Sequence, residues 1–219
     1  IRNNNPKITF NHKSINARHI LTFDNKQYIL ADGFLYIIQG DKILSKIFLR
    51  KDALTFHLDG DFLYLGSFAG LETYKMNGNQ LQFINLFPIT AGVSKILKFN
   101  SQIIFTTYGG GFFVKNGNSV TKYQNKPFNN IENLFKIKQG YGMVSYESGL
   151  SILNEKLNFI SHINKKNGLH SNFVTTVFAD TDTVYIGARK GIAQWYKNKI
   201  IKTFKAEEGF SGNLTRFIF

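Results

Sequence analysis

The chain has 219 residues, of which 43% are hydrophobic and 15% aromatic, so it is long and apolar enough to bury a sizeable core rather than remain disordered. Its formal net charge is +13, carried mostly by lysines that are scattered singly along the sequence. Cysteine is absent, which excludes disulfides, cysteine-bound zinc and thiol catalysis.

The predicted elements, in chain order, are short strands that recur in groups of four. A partial strand at 8–10 precedes the groups, and a second one at 214–219 follows them. The predicted groups, or blades, cover residues 19–48, 53–86, 93–123, 131–163 and 174–205. Turns such as Asp59-Gly60-Asp61 separate the strands, and Asp-Gly pairs favour hairpins because both turn positions need positive φ.

Each copy contains a glycine between two apolar strands. The segments read YILADGFLYII, LYLGSFAGLETY, IFTTYGGGFFVK, GMVSYESGLSIL and VYIGARKGIAQW, with their glycines at Gly33, Gly70, Gly111, Gly149 and Gly191. By subtraction, these glycines are 37, 41, 38 and 42 residues apart. We interpret them as structural, because glycine permits positive φ or the close approach of a neighbouring blade.

Four antiparallel strands in a repeat of about forty residues are typical of a β-propeller blade. The sequence therefore predicts an all-β fold in which 1–219 is a single β-propeller segment with about five blades. Because the sequence starts at Ile1 without a methionine and stops within a further copy, we expect a fragment of a larger, seven-bladed ring. The alternative is that the two end fragments combine to close the ring.

The fifth copy carries a more specific pattern. Residues 168–195 read GLHSNFVTTVFADTDTVYIGARKGIAQW. This resembles the two-component regulator propeller repeat, in which a Gly-Leu-x-x-Asn loop and a strand precede an acidic turn, an aromatic-Ile-Gly-Thr strand and a Gly-Leu/Ile strand. The matching positions are Gly168, Leu169, Asn172, Val174, Asp180, Asp182, Tyr185, Ile186, Gly187, Gly191 and Ile192. Departures from the pattern are Tyr64 and Tyr185 where the family has Trp, and Thr106 and Ser145 where it has Gly.

The resemblance implies the sensor region of a hybrid histidine kinase and response regulator, periplasmic and part of an inner-membrane protein. It also implies an oligosaccharide ligand, regulation of polysaccharide utilisation, and a rigid-body signal between propellers or between the subunits of a homodimer. Contact with a membrane is then expected only through segments that lie outside this sequence. We predict no nucleic-acid binding, although an anionic ligand such as an acidic sugar is compatible with the positive charge.

The residue pattern does not predict catalysis. The histidines are His12, His19, His57, His162 and His170, and none forms a His-x-x-x-His or Glu-x-x-His pair. His57 lies in an alternating strand, which favours a strand residue with a satisfied partner. Most carboxylates occupy turns, where they bond to the backbone. We therefore predict no catalytic residue, metal site or cofactor, and no enzymatic activity for this segment.

The candidate binding residues lie in loops. Superposing the copies places one group of residues at equivalent positions between the second and third strands, and His170 in the loop that enters the fifth blade. The candidates are Phe68, Tyr108, Tyr146, Glu147, His170, Arg189 and Lys190. Aromatic rings beside charged hydrogen-bonding groups suit a saccharide, and loops on a rigid scaffold are common binding sites. The structural alternative is that the aromatic rings only pack between blades.

Two other functions stay open on the sequence. One is a protein-interaction scaffold, such as the propeller of a cytoplasmic transcription regulator without a small ligand. The other is a propeller lyase or hydrolase, which would need converging acid–base groups.

Overall fold

The computed structural model describes residues 7–10, 13–123, 131–138, 140–145, 148–180 and 182–205. This part of the chain consists of β-strands, turns and one short 3-10 helix at Lys165–Asn167. No helix within these ranges is long and apolar enough to cross a membrane. The chain divides into two compact units, Ile1–Phe105 with Val114–Thr121, and Thr106–Phe113 with Lys122–Phe219.

The first two sheets are meanders in which every strand pairs with the next one along the chain. The first sheet contains β1 (Lys7–Phe10), β2 (Lys13–Phe23), β3 (Lys26–Ala31), β4 (Phe34–Gln39) and β5 (Lys42–Phe48). The second contains β6 (Ala53–Asp59), β7 (Phe62–Ser67), β8 (Gly70–Asn77) and β9 (Gln80–Pro88).

The other three sheets have four strands each, in the same order. The third contains β10 (Val93–Phe99), β11 (Gln102–Thr107), β12 (Gly111–Asn116) and β13 (Ser119–Lys122). The fourth contains β14 (Ile131–Ile137), β15 (Gly140–Ser145), β16 (Gly149–Asn154) and β17 (Phe159–Ile163). The fifth contains β18 (Val174–Asp180), β19 (Thr183–Ala188), β20 (Gly191–Tyr196) and β21 (Lys199–Lys205). The predicted all-β fold of four-stranded antiparallel units is confirmed.

The two predicted partial strands have different outcomes. Residues 8–10 lie in β1, which pairs with Lys13–Asn16 at the start of β2 and so extends the first sheet. The segment at 214–219 lies outside the described residues.

The core lies on the middle strands of the sheets. All residues of β15, and all of β7 except Phe62, are buried, so both faces of these strands are covered and their sequences are nearly continuous apolar runs. The last strand of each sheet is much more exposed, as β9 and β21 show. Because the last strand of each sheet is the least buried, substitutions in the two strands before it disturb the core most.

The repeated glycines are required by the backbone. Gly70 has φ +130, and a Cβ added there would lie 2.1 Å from the carbonyl oxygen of Phe87. Gly191 has φ +150, with the carbonyl oxygen of Phe204 at 2.1 Å from the added atom. The predicted positive φ is confirmed. The close neighbour differs from the predicted one, because each carbonyl belongs to the outer strand of the same sheet and not to a neighbouring blade.

A β-bulge near the start of the first strand is an unpredicted repeated feature. The pairing register shifts between Ala17 and His19 in β2, and between Ala53 and Thr55 in β6. It shifts at the equivalent places in β14 and β18. A bulge bends the strand and re-aims the next side chains. The residue after each of these four bulges is polar: His19, Thr55, Asn133 and Thr176.

Candidate functional site

Phe68 lies in the tight turn between β7 and β8. Its ring packs against the connection to β10, because a Cβ added at Gly92 would lie 2.8 Å from the ring. Even so, the side chain is 57% exposed. The turn is closed by Ser67, whose hydroxyl donates to the carbonyl of Gly70 at 3.3 Å and accepts from the Ala69 N–H at 3.2 Å. One edge of the ring thus packs, and the rest faces solvent.

A charged network fixes the backbone of the Phe68 turn. The carboxylate of Asp52 accepts from the backbone N–H of Phe68, and it also accepts from Arg50 Nε at 2.5 Å. Arg50 Nη1 donates to Glu72, and the hydroxyl of Tyr74 donates to the other oxygen of Glu72. Glu72 is only 5% exposed, so its charge depends on these two donors.

The pKa directions follow from this network. The hydrogen bond from Arg50 lowers the pKa of Asp52, and the same bond is the main cause that raises the pKa of Arg50. Burial, followed by the hydrogen bond to Glu72, raises the pKa of Tyr74. All of these shifts favour the ionised Arg50–Asp52 pair and the neutral phenol at neutral pH. The sequence did not indicate this network, because Arg50 and Glu72 are 22 positions apart.

Tyr108 occupies the equivalent turn between β11 and β12. Its side chain is 49% exposed. The hydroxyl of Thr107 donates to the carbonyl of Gly111 at 3.2 Å, as Ser67 does to Gly70, so the two turns use the same closing bond. The equivalent candidates of the fourth blade, Tyr146 and Glu147, lie outside the described residues.

The fifth blade brings three of the candidate residues into one region. The guanidinium of Arg189 lies over the ring of Phe173, 4.5 Å from its centroid, and the Arg189 N–H donates to the Phe173 carbonyl at 3.0 Å. Arg189 and Lys190 are exposed. Phe173 ends the loop that contains His170, so this stacking joins the loop to the turn.

His170 is less accessible than the other candidates. Its side chain is half-buried, and the Nε2 atom is shielded from solvent without a hydrogen-bond partner. A ligand could therefore reach that nitrogen only after the loop moved. His170 stays a predicted ligand contact.

The Gly-Leu-x-x-Asn pattern has a structural explanation. Gly168 has φ +112 and ends the 3-10 helix Lys165–Asn167. Leu169 is buried in the apolar cluster that also contains Trp195. The side chain of Asn172 accepts from the Lys165 N–H at 2.8 Å. These positions therefore shape the loop, and the pattern by itself does not identify ligand contacts.

His19 is an unusual group that sequence reasoning did not single out. Its Nδ1 accepts from the Phe56 N–H at 3.2 Å and from the Thr55 hydroxyl at 3.0 Å. Burial, together with the charges of Lys95 and His57, lowers the pKa of His19 from 6.5 to about 4. Burial also lowers the pKa values of Lys95 and His57. The signal in the sequence was a polar residue at the same place in β2, β6, β14 and β18.

The other His, Asp and Glu side chains do not form a metal-binding cluster in the part of the chain described here. Within the described ranges, no group of three or more His, Asp or Glu residues is arranged to hold a metal ion. His162 Nδ1 is hydrogen-bonded to the Ser151 hydroxyl at 2.8 Å, across neighbouring strands.

Comparison with solved structures identifies the architecture. The extracellular domain of the hybrid two-component system protein BT3049 from B. thetaiotaomicron matches with a TM-score of 0.68 and 13% identity, over 86% of this chain and 28% of that one. The extracellular domain of the hybrid two-component system protein BT4673 from the same organism matches with a TM-score of 0.66 and 18% identity, over 93% of this chain and 30% of that one. This chain has the fold of a β-propeller.

The propeller resemblance is thus confirmed as a likeness of fold. The chain spans less than a third of the length of these two extracellular domains. The computationally designed Ika8 protein matches this propeller with the same TM-score of 0.68, at 10% identity, over 90% of this chain and 63% of that one. No family model and no curated protein matches the sequence. Because a designed protein matches equally well, the function has to be argued from the residues of the site.

Proposed function

We propose that this propeller is the ligand-binding part of an extracellular sensor in a two-component system, and that its ligand is an oligosaccharide. The observation that carries the proposal is the exposed ring of Phe68, on a turn whose Phe68 N–H donates to Asp52, which in turn accepts from Arg50. The likeness to extracellular domains of two-component system proteins supports the sensor part of the proposal. A periplasmic location and control of polysaccharide utilisation follow from that role.

The chemistry of the turns suits a sugar. Exposed rings offer flat apolar surfaces to the C–H faces of a pyranose, and Phe68 and Tyr108 are such rings at equivalent turns. The exposed cations Arg189 and Lys190 occupy the same turn in the fifth blade and can donate to hydroxyl or carboxylate groups. Tyr146, Glu147 and His170 stay in the proposal as candidate contacts.

Calorimetric titration with neutral and acidic oligosaccharides tests the proposal. The expected result is saturable binding that Phe68→Ala weakens by about tenfold, since loss of one stacked ring costs about 1–1.5 kcal/mol, and Tyr108→Ala tests the equivalent turn as an independent contact. The matched control is Phe159→Ala, because Phe159 is a similarly exposed ring on the outer strand β17. Absence of saturable heat with every sugar, or equal losses in all three variants, contradicts the oligosaccharide proposal.

A protein-interaction scaffold is the second candidate, and exposed apolar side chains on the outer strands favour it. These side chains are Phe48, Phe83, Ile84, Phe159, Ile160 and Ile201. Such residues are common at protein interfaces. Light scattering over a range of concentrations tests for the homodimer: a dimer that dissociates in Ile84→Lys or Ile201→Lys supports an outer-strand interface, and a monomer at all concentrations contradicts it.

A further inference from the structure

Strands β2, β6 and β10, which belong to three successive sheets, present a row of nitrogen donors. Strand β6 packs against both β2 and β10 within one compact unit. Arg18 and His19 belong to β2, and Lys95 belongs to β10. His19, Thr55 and Lys95 are equivalent by position, because each is the second residue after a buried apolar residue near the start of its strand.

Two of these side chains reach across to β6. Arg18 Nη1 donates to the carbonyl of Ala53 at 3.3 Å. His19 Nδ1 accepts from the N–H of Phe56 at 3.2 Å and from the Thr55 hydroxyl at 3.0 Å. Because Nδ1 accepts hydrogen bonds, the proton of the neutral imidazole is on Nε2, which leaves Nε2–H as a further donor.

The carboxylates that flank β6 are already paired with other cations. Asp52 is bound by Arg50, and Asp59 is bound by Lys98 at 2.5 Å. In the described part of the chain, neither Arg18 nor Lys95 has a carboxylate partner.

The row therefore carries positive charge without a counter-charge. Lys95 is half-buried, and burial is the cause that lowers its pKa. An ammonium group that is partly removed from water and unpaired is unfavourable, and a bound anion removes that cost. The neighbouring charged groups on the same strands are His57, Asp59 and Lys98, of which the last two neutralise each other.

We propose that Arg18, His19 and Lys95 form a binding site for an oxyanion, namely a carboxylate or sulfate group. The guanidinium supplies a flat pair of donors, the ammonium supplies a point charge, and the imidazole Nε2–H supplies a neutral donor. The occupant is either a free ion or the acidic group of a sugar, and both have the same oxyanion chemistry. The inference goes beyond the sensor role, because the site does not require the Phe68 turn.

Calorimetric titration at pH 7 tests the site with three probes at matched ionic strength: sodium sulfate, a uronic-acid disaccharide and a neutral disaccharide. We expect saturable binding of an anionic probe that Arg18→Met and Lys95→Met each weaken by at least about tenfold, as expected for one charge-assisted hydrogen bond. The matched control is the double variant Lys98→Met with Asp59→Asn, which removes an already neutralised pair, leaves the net charge beside the site unchanged and is expected to keep wild-type affinity.

The outcomes distinguish a free ion from an acidic sugar as the occupant, and they distinguish failure of the oxyanion site from failure of the sensor proposal. Binding of the disaccharide acid without sulfate assigns the site to an acidic sugar, and binding of sulfate assigns it to a free oxyanion. Binding of the neutral disaccharide that Lys95→Met leaves unchanged, without binding of either anion, overturns this inference but not the sensor proposal. Equal affinities in wild type, Arg18→Met and Lys95→Met overturn it as well.

Melting temperatures measured without anion provide a second check. Lys95→Met is expected to melt at or above the wild-type temperature, and a lower value contradicts an unpaired ammonium.

Discussion

The second and fifth blades keep the same strand order but hold their connecting loops with different chemistry. In the second blade, the loop before β6 is held by charges, through Arg50, Asp52 and the buried Glu72. In the fifth blade, the loop before β18 is held by the Asn172 amide, the buried Leu169 and the stacking of Arg189 over the Phe173 ring, and none of these contacts is an ion pair. The comparison shows that the two blades have the same order of strands, whereas the side-chain contacts that hold their connecting loops differ.

The glycine that both blades have at the start of their third strand is expected to give the largest effect on stability. Gly70→Ala and Gly191→Ala each place a Cβ 2.1 Å from a backbone carbonyl oxygen at positive φ. We expect each variant to lose at least about 3 kcal/mol of unfolding free energy, since backbone strain and the clash add. Urea unfolding measures the loss. The control is Gly78→Ala, which has φ +64 but open space around its Cβ and is expected to lose only about 1 kcal/mol. Unequal losses at Gly70 and Gly191 would show that the blades do not share this constraint.

The charged network of the second blade is expected to give the next largest effect. Arg50→Met leaves the buried carboxylate of Glu72 with only the Tyr74 hydroxyl as a donor, and we expect a loss of about 2–3 kcal/mol. The double variant Arg50→Met with Glu72→Met removes both charges and is expected to recover at least half of that loss. A double-mutant cycle by chemical unfolding measures the coupling. Additive single effects contradict a buried ion pair.

Acid is expected to lower the free energy of unfolding through His19, which lies on β2 and is hydrogen-bonded to β6 of the second blade. His19 has a pKa of about 4 in the folded chain, against 6.5 when unperturbed. Between these values the unfolded chain takes up a proton that the folded chain does not, so this stability is complete above pH 6.5 and is lost as the pH falls toward 4. From pH 7 to pH 5, we expect a loss of about 2 kcal/mol from this group.

The variant His19→Asn tests the assignment of that loss. Its amide oxygen can still accept from the Phe56 N–H, but it does not titrate, so the loss between pH 7 and pH 5 is expected to shrink. His57→Gln is the companion variant, because burial lowers the pKa of His57 in the same direction. An unchanged pH dependence in His19→Asn assigns the acid sensitivity to other groups.

The strand pattern was predictable because its signals are local. Glycine and Asp-Gly turns divide the chain into strands, and apolar runs mark the buried middle strands, as in β7 and β15. The bulges were not predicted, although one extra residue shifts the alternation of apolar side chains, as from Ala53 to Phe56 and Leu58 in β6; in so short a strand this shift resembles an irregular pattern. The Arg50–Glu72 and His19–Phe56 contacts join residues far apart in the sequence, and no periodicity relates them.

The candidate site was predictable only in part, for the same reason. Equivalent turns could be aligned, and the exposed Phe68 and Tyr108 were found in this way. Whether a loop side chain faces solvent depends on packing from other segments, as the shielded Nε2 of His170 shows. The positions of Arg18 and Lys95 became notable only when the strands around β6 could be read together.

The smallest effect on the free energy of unfolding is expected in the loop before β18 of the fifth blade. Asn172→Ala removes the acceptor for the Lys165 N–H, and loss of one capping bond costs about 1 kcal/mol. Because the Asn172 amide does not titrate, the loss is expected to be the same at pH 5 and pH 7. Asn77→Ala, at the exposed end of β8, is the control and is expected to change little. Chemical unfolding at both pH values measures the loss, and a pH-dependent loss in Asn172→Ala would mean that a titrating group is coupled to this capping bond.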